Sequence, residues 1–247
     1  MIRAADTARR ANNQRKMRGS IDKQKVIPID RKVKLLVEPS ADSKVSVSIL
    51  TMTTEEIAAR LRRIDGETNL CVRAQRVATL VAEQFRQLGY ETAVVGGSAI
   101  EFYTAGDYMS GDVDLAFVGR TRPEPRAIAE ALAPLGTSTG SVRTFKIGGI
   151  FVDVLGELDT WANTPLRELI DEDGGLLRLI QPENLLPHRI LVATYPSEQP
   201  KAMQAARKLL AVCLQGKVVV DWDEMRRVAA LPAYKVAREL ESLLNEP

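Results

Sequence analysis

Histidine and cysteine are nearly missing from this chain of 247 residues: His188 stands alone, and the two cysteines are Cys71 and Cys213. One histidine excludes histidine-rich metal centres and argues against a serine–histidine triad. The two cysteines lie far apart, each among apolar residues of a helical pattern. They provide neither a disulfide framework nor zinc-type spacing, and buried thiols are expected. Long apolar runs are missing too. No stretch reaches the roughly 18 residues of a membrane helix, and the N-terminus has no apolar signal core. The expectation is a soluble, cytoplasmic protein with no membrane partner.

Against these absences stands an uneven charge. The formal net charge is +2, yet residues 1–50 carry twelve Lys and Arg against five Asp and Glu, leaving about −5 for the rest. Residues 1–20 are rich in Arg, Asn and Gln, and residues 1–51 read as a basic, flexible arm. Within it, 33–37 and 45–50 have the composition of short strands. The arm is either a solvated tail or a contact for nucleic-acid phosphates, though it has no aromatic residues for base stacking. A third reading is an upstream extension of the gene model, since Met52 opens a clean helix start.

From Thr53 the pattern sharpens. Thr53 and Glu56 have capping-box spacing, and Asn69 can cap a second helix with Ala74, Val77, Ala78, Val81, Phe85 and Leu88 on one face. Gly89 suits the left-handed position after it. Thr92 to Val95 is a short strand ending at Gly96-Gly97, and Ser98 can cap the next helix. A strand from Val113 to Val118, a helical crossover from Glu124 to Leu135, and two strands flanking Gly148-Gly149 follow. This order predicts an α/β (α+β) fold: a mixed sheet with flanking helices over 52–160. Beyond Trp161 the pattern reads as a mainly helical region, 161–247, with starts at Pro182 and at Asp221 or Asp223.

Chemistry concentrates in Val95-Gly96-Gly97-Ser98-Ala99 and Gly111-Asp112-Val113-Asp114-Leu115. Two glycines before a helix let backbone approach a ligand, and the helix N-terminus offers N–H groups to phosphate; an ordinary tight turn is the bland alternative. Asp112 and Asp114, two apart on a strand, share one face. Like charges so placed need a cation between them, and Mg²⁺ takes one or two carboxylates with water and phosphate oxygens. Asp153 is the only charge in the apolar run Ile150 to Leu155. It needs a partner, either a metal shared with Asp112 and Asp114 or a salt bridge to Lys146 or Arg143.

Gly96-Gly97-Ser98-Ala99 followed by Asp112-Val113-Asp114-Leu115 resembles the signature of the nucleotidyltransferase superfamily, the DNA polymerase β-like fold. Within it the chain is similar to the bacterial AbiEii/MenT-type group of toxin–antitoxin systems and to small relatives without assigned function. The segment from Pro182 to Ile190 is similar to a later motif of these proteins, departing from it at Asn184 and His188. The likeness spans roughly residues 70–215. It implies two Mg²⁺ ions held by Asp112, Asp114 and Asp153, and an NTP held by Gly96, Gly97, Ser98 and Arg189. Asp153 would help deprotonate the acceptor.

The implied activity is transfer of an NMP from an NTP to an acceptor hydroxyl. A tRNA or other RNA would be the acceptor of a toxin, with a cognate antitoxin as partner; a small aminoglycoside-like molecule would fit the same core. An antitoxin-like enzyme would instead nucleotidylate a partner toxin. A non-catalytic nucleotide- or RNA-binding protein of the same fold is the reading from another class, against which the three retained carboxylates argue.

Overall fold

The computed structural model describes residues 28–29, 33–36, 52–119, 122–141, 143–171 and 173–246. Of the expected N-terminal strands, the first forms at Val33–Leu36; that at 45–50, like the arm at 1–20, lies outside the described residues.

The local signals act where they stand. Thr53 accepts from the Glu56 N–H at 3.2 Å while Glu56 accepts from the Thr53 N–H at 2.7 Å, opening α1 (Thr54–Gly66). Asn69 caps α2 (Leu70–Gln87) through the Val72 N–H, and Gly89 follows at φ +81°. The apolar stripe of α2 is buried against the sheet, with Val77, Ala78, Val81 and Phe85 fully enclosed. Phe85 meets Phe117 edge to face at 5.1 Å.

Nine strands form one mixed sheet among the described residues: β1 (Pro28–Ile29), β2 (Val33–Leu36), β3 (Thr92–Val94), β4 (Asp112–Phe117), β5 (Thr137–Ser138), β6 (Thr144–Ile147), β7 (Ile150–Glu157), β8 (Arg167–Ile170) and β9 (Leu176–Leu179). Their order is β1-β2-β8-β9-β3-β4-β7-β6-β5, with β3–β9 and β4–β7 parallel and the other pairs antiparallel. The α/β class expected from the element order is what forms. The turn between β6 and β7 uses Gly148 at φ +53° and Gly149 at +79°, as a two-residue hairpin requires.

Between β3 and β4 lies α3 (Gly96–Tyr103), and α4 (Pro125–Leu132) follows β4. The C-terminal part holds α5 (Pro182–Thr194), α6 (Pro200–Leu214), α7 (Trp222–Ala230, capped by Asp221) and α8 (Ala237–Leu244). It is mainly helical, but the β8–β9 hairpin precedes it, which a helical reading beyond Trp161 does not include. Those two short runs become strands because β9 pairs with β3 and β8 with β2. Both cysteines are buried free thiols, and burial pushes each up to about 12. No helix among the described residues is long and apolar enough to cross a membrane.

Candidate active site

The site grows from the junction of β3 with α3. Val95 is the N-cap of α3, so the helix begins at Gly96 and Ser98 sits inside it rather than capping it. Gly96 has φ +60°, and a Cβ there would stand 2.6 Å from Asp114 Oδ2. Only glycine allows both the left-handed turn and the approach of that carboxylate. The Gly97 N–H, at the helix start, favours the charged form of the Asp114 carboxylate. Ser98 is fully buried; its hydroxyl donates to Val95 O at 2.9 Å and accepts the Asp114 N–H at 3.0 Å. These two bonds tie the helix start to β4.

Alternation along β4 buries Val113 and Leu115 and leaves Asp112 and Asp114 together on the opposite face. The parallel register with β7 sets Asp153 directly beside Asp114. One carboxylate oxygen from each of the three aspartates lies within 4.8 Å of the others, and all three residues are half-buried. Asp153 makes no ion pair among the described residues, and its Oδ1 is buried without a hydrogen-bond partner. The alternative salt bridge does not form: the Lys146 ammonium lies over the Phe151 ring, 5.6 Å from its centroid. Three converging carboxylates with an unsatisfied buried oxygen fit a divalent cation. Burial, then the charges of Asp112 and Asp153, push Asp114 up to about 6 in the ion-free site, while Arg189 and the Gly97 N–H oppose the rise.

Arg189 arrives from α5, close enough for its charge to act on Asp114. Its Nε is buried without a hydrogen-bond partner. The helix that carries it is anchored by the residues just before it. Buried Glu183 accepts at 2.9 Å from both Arg167 and the Asp221 N–H, and Asn184 accepts from the Trp161 N–H at 2.8 Å. Pro187 lies inside α5 without ending it. His188 is exposed, its ring 6.3 Å from that of Tyr234.

Two further residues belong to the site. Glu101, only 2% exposed on α3, accepts the Ser110 N–H at 2.8 Å, and Ser110 Oγ donates to Asp112 Oδ1 at 2.8 Å. Desolvation, with Asp112 adding to it, raises the Glu101 carboxyl above its ordinary value. Like Asp153, Glu101 is a lone charge in an apolar run, Ala99 to Tyr103, and that signal could have found it. Ser110 carried none.

Fold and site together define a mixed α/β protein with a carboxylate cluster on two neighbouring parallel strands. No protein-family model and no curated protein matches this chain. Among solved structures it is similar to an antigenic nucleotidyltransferase-like protein from Paracoccidioides brasiliensis, at 18% identity over 68% of this chain and 90% of that one, with a TM-score of 0.47. It is also similar to the antibiotic-resistance factor ANT(2'')-Ia, at 18% identity over 70% of this chain and 100% of that one, with a TM-score of 0.43.

Proposed function

We propose that this chain is a Mg²⁺-dependent nucleotidyltransferase that moves an NMP from an NTP to an acceptor hydroxyl. The observation that carries the reading is the convergence of Asp112, Asp114 and Asp153 within 4.8 Å beside the glycine-led start of α3. A structural role would leave three converging carboxylates with Arg189 as the one opposing charge shown acting on Asp114, which is costly without a cation. These aspartates would hold one or two Mg²⁺ ions, which supply charge neutralisation at the triphosphate and a more acidic acceptor hydroxyl. Gly96 keeps the floor of the site clear of side chain, and Arg189 offers its guanidinium to the phosphates. Ser98 positions Asp114 from below.

In the transfer, the acceptor oxygen bonds to the α-phosphorus as the bond from that phosphorus to the bridging oxygen breaks, and pyrophosphate leaves. Asp153 accepts the acceptor's proton. Most of the rate acceleration assigned to this chain is positioning and electrostatics.

The acceptor we favour is RNA, including tRNA. Phe151 and Leu155 flank Asp153 on the open face at 44% and 40% exposure, with Lys146 beside the ring. An aromatic ring with a cation suits a base and its phosphate. A cationic small acceptor gains nothing from Lys146. With RNA as acceptor the cytoplasmic role is that of a toxin restrained by a cognate antitoxin; transfer to protein would make it the antitoxin-like enzyme instead. Purified chain incubated with each α-labelled NTP, Mg²⁺, total RNA and cell lysate tests the reading. Label should enter RNA and vanish in Asp112→Ala and Asp114→Ala. Turnover as in the wild type in both variants would refute the site.

A further inference from the structure

We infer that Glu101 is a positioning residue for the cation site, acting through Ser110 to set the Asp112 carboxylate. The inference rests on the cation reading above and concerns residues that the sequence motifs do not include.

The connection between α3 and β4 is short, and its shape is imposed at several points. Ala105, Gly106 and Gly111 all have positive φ, at +51°, +87° and +97°. Such a chain holds its form when its N–H groups find fixed acceptors. Glu101 provides one from inside the core: its Oε2 accepts the Ser110 N–H, and the Gly111 N–H also bears on its carboxylate. Ser110 is thereby delivered with its hydroxyl 2.8 Å from Asp112 Oδ1. Gly97 leaves the space for this, because a Cβ there would stand 2.6 Å from Ser110 Oγ. One oxygen of Asp112 is held, and the other is left for a cation.

Stability alone does not account for Glu101. Anchoring a loop needs an acceptor, which a neutral amide supplies without burying a charge beside Asp112. The buried Oε1 of Glu101 has no hydrogen-bond partner. As a charged acceptor it holds the Ser110 N–H, and through Ser110 the Asp112 carboxylate, more firmly than an amide would. Partners of metal-ligating carboxylates typically set affinity by 10- to 100-fold.

The test uses the full chain and Mn²⁺ alone, with free Mn²⁺ followed by its electron paramagnetic resonance signal. Ser110→Ala and Glu101→Gln should each weaken Mn²⁺ binding about tenfold or more. The ion-free melting temperature should hardly change in Ser110→Ala and should hold or rise in Glu101→Gln. Because both residues act by one route, the double variant should lose about as much as the weaker-binding single variant. Losses that multiply would overturn the relay, as would wild-type Mn²⁺ affinity in both single variants. So would a loss of affinity that merely follows a lowered ion-free melting temperature. If the wild type binds Mn²⁺ and the variants match it, only this inference fails. If the wild type binds none, the cation reading fails with it.

Discussion

Asp114→Asn should make the ion-free protein more stable at neutral pH while removing its response to Mg²⁺. Asp114 is pushed from an ordinary 3.8 to about 6 by burial and by Asp112 and Asp153. Between those values the folded chain keeps a proton that the unfolded chain has released. The contribution of Asp114 to stability is therefore greatest below pH 4, declines as pH rises to 6, and stays reduced above it. A shift of roughly two units corresponds to at most about 3 kcal/mol. Asparagine removes the charge at nearly the same size, so a gain of about 1–3 kcal/mol is expected at pH 7.5. Urea unfolding in EDTA at pH 7.5 and at pH 4 measures it, and the gain should shrink towards zero at the lower pH. With millimolar Mg²⁺ the order should reverse, because the wild type gains binding energy that the variant cannot. A variant equally destabilised at both pH values, with a wild type indifferent to Mg²⁺, would refute the electrostatic account.

Gly96→Ala should cost about 1–2 kcal/mol for a left-handed alanine, and its Cβ would displace the Asp114 carboxylate; Mn²⁺ titration should show affinity falling about tenfold or more. Phe85→Ala should destabilise the fold by about 3–5 kcal/mol in urea, since the ring is fully buried against Phe117. Mn²⁺ affinity should survive that change in the fraction that remains folded.

Much of this architecture is readable along the chain because its causes are local. Thr53 and Glu56 cap each other three residues apart, and Gly148-Gly149 supplies the two positive φ angles of a tight hairpin. Period-two alternation alone places Asp112 and Asp114 on one face of β4. The same logic stops short at β8 and β9. Runs as short as Arg-Glu-Leu-Ile and Leu-Leu-Arg-Leu suit a helix or a strand equally, and only the partners β2 and β3 choose. Ser98 shows a subtler limit. Its place after two glycines suggests a ligand, while in the fold its proton goes to Val95 O and its oxygen accepts the Asp114 N–H.

The sequence by itself determined the elements with local signals and marked the three aspartates as candidates, since charge on an otherwise apolar strand is a signal that needs no neighbour. Tertiary structure decided how they are used. The parallel register of β4 and β7 brings Asp153 beside Asp114, and α5 carries Arg189 to the same place. The fold of 104–111 lets Glu101 reach Ser110 and, through it, Asp112. Register and packing set these distances, and a carboxylate becomes a ligand only where others stand within a cation's reach.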